Sequence, residues 1–133
     1  ALVMEGMERV VNKPGGTAFQ SRIVEPGQRM AGKTGTAQVR RISKAERENK
    51  VRKNEDKPWE ERDHALFVGY APIESPRYAV AVVIEHGGGG SKVAAPIARD
   101  VLLEVQRRDP SRRAPVGTIV GQEPSQLGSP EEG

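Results

Sequence analysis

The sequence predicts an α+β fold in which a small antiparallel sheet is flanked by helices. Three observations support this prediction. Helical apolar patterns stand at both ends of the folded part, strand-forming segments lie between them, and the last two strands are separated only by "PIESPR". A connection of that length suits an antiparallel hairpin, whereas parallel strands need long crossover connections. The order helix, strand, long loop, hairpin, helix indicates a sheet with helices on one face.

The first element is a predicted helix over residues 1–12, where apolar residues recur at helical spacing. These apolar residues are Leu2, Val3, Met7, Val10 and Val11. Pro14-Gly15-Gly16 ends the helix. Residues 21–25 are predicted to be extended, and Pro26-Gly27 to form a turn. Because position 1 holds neither an initiator Met nor a capping residue, we interpret the chain as a piece of a longer protein.

Three strands are predicted in the middle of the chain. Small and β-branched residues predict a strand over residues 29–41, and "HALFVGYA" (64–71) and "YAVAVVIE" (78–85) predict the hairpin. The stretch between them, residues 40–63, is dense in charges of both signs and almost free of aliphatic residues. We predict that it is a long exposed loop with room for a helical turn or two over residues 44–53.

The last predicted elements are a hinge and a helix. The stretch "HGGGGS" (86–91) is predicted to be a hinge between the last strand and the last helix. One face of that helix is apolar, formed by Ile97, Ala98, Val101, Leu102 and Val105. Beyond Asp109 the chain has no periodic apolar face. We therefore predict a folded part over residues 1–109 and a disordered tail over residues 110–133.

The composition argues against several functional classes. The net charge of +3 arises from 21 basic and 18 acidic residues without a long single-sign block, which gives nucleic-acid binding little support. The chain has no cysteine, and neither His64 nor His86 has partners at metal-ligand spacing, so no metal site is expected. We interpret His64 as a hydrogen-bonded structural histidine; Trp59 either stacks on a ligand or holds the long loop. No apolar stretch approaches the roughly 18 residues that cross a bilayer, so a membrane anchor would lie elsewhere.

The stretch "GQRMAGKTG", from Gly27 to Gly35, allows two incompatible interpretations. Residues 27–34 satisfy G-x-x-x-x-G-K-[ST], the pattern of a phosphate-binding loop. Such a loop needs a buried strand before it and a helix that begins at the lysine, but here the lead-in is short and poor helix formers follow. The second interpretation is a Lys-Thr-Gly box on a strand that borders an acyl-transfer site.

Five segments, in order along most of residues 1–105, favour the second interpretation. They are "GMERVVNKPGGTA" (6–18), "MAGKTGTAQV" (30–39), "RDHALFVGYAP" (62–72), "YAVAVVIEHGGGGS" (78–91) and "AAPIARDVL" (94–102). Through them the chain resembles the C-terminal part of the transpeptidase domain of class B penicillin-binding proteins, and among these the penicillin-binding protein 2 group of cell elongation. The resemblance implies the C-terminal part of a β-lactamase/transpeptidase-like fold.

The resemblance also implies roles for four residues. A strand presents its side chains alternately, so Lys33 and Gly35 share one orientation and Thr34 and Thr36 share the other. By resemblance, Lys33 is catalytic through proton handling near the nucleophilic serine, and it attracts the anionic end of the substrate. Thr34 and Thr36 bind the substrate carboxylate, and the N–H of Thr36 forms half of the oxyanion hole. Gly35 lets the substrate backbone lie close along the strand.

The nucleophile of this family lies in a Ser-x-x-Lys motif, and a second box reads Ser-x-Asn. None of the seven serines of the chain begins either pattern; they are Ser21, Ser43, Ser75, Ser91, Ser111, Ser125 and Ser129. By resemblance, an upstream part of the same protein supplies both motifs, and the whole protein is a serine-type D,D-transpeptidase without a cofactor.

The resemblance further implies a cellular setting. The whole protein would be anchored in the inner membrane with this domain in the periplasm. It would act on peptidoglycan stem peptides, bind β-lactams and work with a membrane glycosyltransferase of the elongation machinery. Two alternatives remain at this point: a nucleotide-binding protein of the phosphate-loop kind, and a noncatalytic penicillin-sensing domain.

Overall fold

The structure is a computed structural model that describes residues 1–49 and 52–112. Its main elements follow one another in the predicted order. They are helix α1 (Leu2–Asn12), strand β1 (Ala31–Ala37), the short helix α2 (Lys44–Glu48), strands β2 (His64–Ala71) and β3 (Tyr78–Ile84), and helix α3 (Ala94–Arg107). None of the described helices combines the length and the apolar character that crossing a bilayer requires. The predicted α+β architecture is confirmed.

The three strands form one antiparallel sheet in the order β1-β2-β3. Residues that face each other across neighbouring strands lie on the same side of the sheet. The register pairs Thr34 with Phe67, and Phe67 in turn with Val82. Since β1 pairs with β2 alone, its other edge is open within the described sheet.

The hydrophobic core lies between the sheet and the helices. Phe67 is the largest of its fully buried side chains, and its ring lies over two glycines. A Cβ added to Gly32 or to Gly69 would lie 2.7 Å from Cε1 of that ring, so both positions require glycine. Helix α3 packs on β2 and β3 through Ala94, Ala95, Ala98 and Leu102. Burial of this apolar surface is the main term that stabilises the fold.

The segment before β1 differs in part from the prediction. Residues 21–25 form no strand; a 3-10 turn over Phe19–Ser21 precedes an irregular stretch. The predicted turn at Pro26-Gly27 is present, and the N–H of Gln28 donates to the carbonyl of Glu25 at 3.1 Å. Gly27 has a φ of +69°, which the third position of this kind of turn requires.

The apolar face of α1 is shorter than the sequence predicts. Leu2 and Val3 are 84% and 76% exposed, whereas Val11 near the other end of the helix is fully buried. Residues 2–6 of α1 are all exposed, whereas Met7 and Val10 in its C-terminal half are half-buried, and the helix packs on β1. Periodicity identified the helix but could not show how far it overlaps the sheet.

The charged loop between β1 and β2 is organised by pairing among its own charges. Helix α2 has a capping box, in which the Ser43 side chain and the Glu46 side chain each accept the other residue's backbone N–H. Arg40 contacts Glu46 at 2.6 Å and Glu61 at 3.2 Å. The hydrogen bond from Arg40 is the main reason that the pKa of Glu46 falls to about 2. In the described part of the loop, α2 lies within the stretch where the sequence allows a helical turn or two, and charges of the loop pair with one another.

The described chain ends in a turn that the sequence pattern assigned to the tail. Pro110–Arg112 forms one 3-10 turn. Asp109 is buried, and its carboxylate accepts from the Ser111 hydroxyl at 2.7 Å and pairs with Arg77 at 3.0 Å. Residues 110–112, the first three of the predicted tail, therefore form a turn that a buried carboxylate holds. The remainder of the predicted tail, residues 113–133, lies outside the described part of the chain.

Replacing Asp109 with asparagine is expected to weaken this C-terminal anchor in a pH-dependent way. The hydrogen bonds from the Ser111 hydroxyl and backbone N–H lower the pKa of Asp109 from 3.8 to about 2. A carboxyl group whose pKa is lowered by folding stabilises the protein above its unfolded-state pKa, and this stabilisation is lost as the pH falls through the folded-state pKa. The variant's deficit in urea-unfolding midpoint should therefore be largest at neutral pH and shrink between about pH 4 and about pH 2.

Asp100→Asn is the matched control for this experiment, because the Asp100 side chain lies on the neighbouring helix α3 and is 66% exposed. We expect its unfolding midpoint to follow that of the parent protein at each pH. An Asp109 variant whose deficit stays constant down to acidic pH would contradict the prediction.

Candidate functional site

The Lys-Thr-Gly box lies in the middle of β1, at the open edge of the sheet. Lys33, Thr34, Gly35 and Thr36 all pair in register with residues of β2. The predicted strand is therefore present at all four positions. The phosphate-loop interpretation is wrong, because no helix begins at Lys33 and its strand belongs to an antiparallel sheet.

Side chains alternate along β1 as predicted. Thr34 lies on the same side as its cross-strand partner Phe67, which is part of the core. Lys33 lies on the opposite side, with Val68, which is half-exposed. Gly35 shares the side of Lys33, and Thr36 shares the side of Thr34. The ammonium group thus stands on the open side of the sheet at its edge strand.

The backbone of β1 presents hydrogen-bonding groups to the open edge. Nζ of Lys33 donates to the carbonyl of Thr34 at 2.9 Å, which indicates that this carbonyl points away from β2. In an antiparallel strand the N–H and C=O of one residue point the same way, and every second residue repeats that direction. The N–H groups of Thr34 and Thr36 are therefore both directed at the open edge, within reach of an acceptor on a bound molecule.

The Lys33 side chain is exposed and makes no ion pair within residues 1–49 and 52–112. Just before β1, Arg29 pairs with Glu74 at 2.8 Å and with Glu8 at 3.3 Å. The hydrogen bond from Arg29 is the main cause that lowers the pKa of Glu74, so this carboxylate stays ionised and bound to the guanidinium. An anion that arrives at the box therefore meets an ammonium that no described carboxylate neutralises.

Close backbone packing accounts for two glycines at the box. A Cβ at Gly35 would lie 3.1 Å from Cβ of Leu66, which is closer than most Cβ contacts. Glycine at this position therefore allows β1 to pair closely with β2. Gly90 of the glycine-rich turn packs on the same pair of residues. A Cβ there would collide with the carbonyl oxygen of Leu66 and lie 2.5 Å from that of Gly35. The predicted hinge does connect β3 with α3, and it also supports the backbone of the box.

Thr17 is a neighbour of the box that sequence reasoning did not identify as a site residue. Its Oγ1 lies 3.2 Å from Oγ1 of Thr34, which is hydrogen-bonding distance. The loop that follows α1 brings the two hydroxyls together across 17 positions of sequence. The one sequence signal for Thr17 is its place in the segment "GMERVVNKPGGTA", since periodicity and spacing do not point to it.

The histidines and the tryptophan form a separate cluster at the start of β2. Nδ1 of His64 accepts the backbone N–H of His86 at 2.9 Å, so His64 is a hydrogen-bonded structural histidine, as predicted. The ring centroids of Trp59 and His86 are 4.3 Å apart. Trp59 thus attaches the charged loop to the glycine-rich turn, which was one of its two predicted roles.

The candidate site is an open strand edge and not an enclosed pocket. A cavity of about 300 Å³ lies elsewhere, between the charged loop and the glycine-rich turn, and residues 33–36 do not line it. In the described part of the chain, no three His, Cys, Asp or Glu side chains cluster closely enough to hold a metal ion. The Lys-Thr-Gly box thus lies on an open surface of the described residues.

The chain is similar in sequence to proteins of known family. Residues 1–103 match the family described as "Penicillin binding protein transpeptidase domain". Among curated proteins, peptidoglycan D,D-transpeptidase MrdA of Haemophilus influenzae is 41% identical over 97 residues, which cover 73% of this chain and 14% of that protein. The chain spans only 13% to 18% of the length of the curated relatives that it matches.

Two solved structures are similar to the chain over most of its length. The first, "Complex between Penicillin-Binding Protein (PBP2) and MreC from Helicobacter pylori", has a TM-score of 0.62 and 30% identity, covering 79% of this chain and 16% of that one. The second, "Crystal structure of Pseudomonas aeruginosa PBP2 in complex with WCK 5153", has a TM-score of 0.58 and 37% identity, covering 81% and 19%. The described sheet and helices thus have the arrangement found in these structures.

Proposed function

The chain belongs to the penicillin-binding protein transpeptidase domain family, and on this premise we propose that it forms one wall of the active site of a peptidoglycan D,D-transpeptidase of cell elongation. Its similarity to structures of penicillin-binding protein 2 supports assignment to that group. The whole protein would be the enzyme. This chain supplies the Lys-Thr-Gly wall, and no serine in it begins a Ser-x-x-Lys motif.

The open edge of β1, with an ammonium beside it that no described carboxylate neutralises, is the observation that carries the proposal. A peptide that lies along this edge would add a strand to the sheet, and the N–H groups of Thr34 and Thr36 would meet its carbonyl oxygens. Lys33 would attract the anionic end of the peptide. The two threonine hydroxyls would hold the terminal carboxylate of a stem peptide or the carboxylate of a β-lactam.

The proposed chemistry is acyl transfer through a serine outside this chain. That serine attacks the carbonyl between the two terminal D-alanines, its proton passes to the amine of the departing D-alanine, and an acyl-enzyme forms. An amine of a neighbouring stem peptide then attacks the acyl carbon, the bond to the serine oxygen breaks, and a proton of the amine passes to that oxygen, which regenerates the serine. Lys33 would assist proton transfer at the serine. The N–H of Thr36 would stabilise the oxyanion, a contribution of about 2.7–4 kcal/mol for one such donor.

We propose a periplasmic setting for the whole protein, with an anchor in the inner membrane and a membrane glycosyltransferase of the elongation machinery as partner. Stem peptides and β-lactams are the proposed ligands. Two relatives support the proposal that the whole protein binds partners and ligands. One penicillin-binding protein 2 was solved in a complex with MreC and another in a complex with WCK 5153.

Covalent labelling with a fluorescent penicillin tests the proposal. The full-length protein should be labelled, whereas residues 1–133 alone, and a full-length variant with alanine in place of the Ser-x-x-Lys serine, should not. A full-length protein that stays unlabelled would refute the proposed function. Labelling without any cross-linking of stem peptides, but with an antibiotic-dependent signal, would favour the penicillin-sensing alternative.

A further inference from the structure

We infer that Thr17 is a positioning residue that orients the Thr34 hydroxyl toward a carboxylate bound at the open edge of β1. The inference rests on the proposed function and extends it to a residue outside the Lys-Thr-Gly box. Thr17 itself need not touch the substrate. Its role is to determine the direction in which the Thr34 hydroxyl donates its proton.

The hydroxyl of Thr17 is held at its place by the loop that follows α1. Gly16 packs against the end of this helix so closely that a Cβ would lie 2.6 Å from the carbonyl oxygen of Arg9. On the other side of Thr17, Ala18 is buried, and its N–H donates to the carbonyl of Val10 at 3.0 Å. Both neighbours of Thr17 are therefore fixed against the same helix.

The helix is in turn fixed to the start of β1. Nδ2 of Asn12, the last residue of α1, donates to the carbonyl of Met30 at 2.9 Å. Met30 is fully buried and directly precedes the strand. With this contact at one end and the Thr17–Thr34 contact within the strand, the loop and β1 are connected at two points. The backbone on either side of both threonines is thus held by contacts other than the one between their hydroxyls.

The chemistry of hydroxyl groups gives this contact a direction once an anion is bound. A threonine hydroxyl has one proton to donate and two lone pairs that accept, whereas a carboxylate only accepts. If Thr17 donates to Thr34, the proton of Thr34 stays free for the carboxylate. The reverse direction would use that proton on Thr17 and leave an oxygen lone pair facing the anion. A chain from Thr17 through Thr34 to the carboxylate also polarises each of its hydrogen bonds.

Acylation kinetics of full-length Thr17→Val and Thr17→Ser variants test the inference, with benzylpenicillin as the probe. Valine keeps the shape of threonine but removes the hydroxyl, whereas serine keeps the hydroxyl. We expect Thr17→Val to weaken the apparent binding constant of benzylpenicillin by about fivefold. The maximal acylation rate should be unchanged, because the serine and the oxyanion donor are untouched. Thr17→Ser should restore binding close to the parent value.

The methyl ester of benzylpenicillin separates positioning from a merely structural role. Because the ester has no carboxylate, Thr17→Val should alter its reaction with the protein little. Equal loss with the acid and the ester, parent-like binding by Thr17→Val, or failure of serine to restore binding would each overturn the inference. A parent protein that is not acylated at all would instead refute the proposed function, and the inference with it.

Discussion

Replacement of Lys33 by alanine in the full-length protein is expected to slow acylation by a fluorescent penicillin by about 10²- to 10⁴-fold, the range typical of a group that handles protons in a transition state. The physical reason is the position of the side chain. Lys33 stands exposed at the open edge of β1, its ammonium group donates to the carbonyl of Thr34, and no described carboxylate neutralises it. The measurement is the second-order rate constant of labelling.

Lys44→Ala is the control, because Lys44 is also an exposed lysine and lies on helix α2 of the charged loop. It removes the same charge from the same protein, so a general electrostatic effect would slow both variants alike. We expect the Lys44 variant to react at the parent rate. Parent-like labelling of the Lys33 variant would remove this residue from the proposed mechanism.

Replacement of Gly90 by alanine is expected to destabilise the protein by about 1–3 kcal/mol, the usual cost of forcing extra volume into a packed site. The atoms that a Cβ would meet are backbone oxygens of Leu66 and Gly35, which cannot rotate away as a side chain would. Either the glycine-rich turn or β1 must move. Because displacement of reacting groups by about 1 Å can lower a rate by about 10²-fold, penicillin labelling should slow as well.

The neighbouring Gly89 provides a matched control within the same turn. A Cβ at Gly89 would have no atom within 4 Å, and its φ is not in the left-handed region. Gly89→Ala should therefore leave both the urea-unfolding midpoint of the full-length protein and its labelling rate near the parent values. If the Gly89 and Gly90 variants behaved alike, flexibility of the turn rather than close packing would explain its glycines.

The sequence predicted those parts of the fold that have a local cause. The strands "HALFVGYA" and "YAVAVVIE" and the six residues between them determine a hairpin from neighbouring residues alone. The same holds for the turn at Pro26-Gly27, where glycine meets a local backbone requirement. Lys33 and Thr34 could be assigned to opposite faces of a strand because that alternation needs no tertiary information.

The structural features that the sequence did not predict depend on contacts between residues that are far apart in the sequence. Thr17 meets Thr34 only because the chain reverses after α1, and no pattern in the sequence states where that loop comes to rest. Residues 110–112 form a turn and not a tail because Ser111 donates to the carboxylate of Asp109, which pairs with Arg77, 32 positions earlier. Similarly, composition alone predicts a hinge at Gly90, and its contact with Gly35 is visible only in three dimensions.

The spacing of the N–H groups that point to the open edge of β1 restricts which molecules can bind to two of them at once. Two residues of an extended strand span roughly 7 Å, so the amides of Thr34 and Thr36 can be engaged together only by acceptors that are equally far apart. An extended peptide meets that requirement with alternate carbonyl groups. The compact bicyclic ring of a penicillin does not meet this requirement. It must bind through one amide together with the threonine hydroxyls and the ammonium group of Lys33.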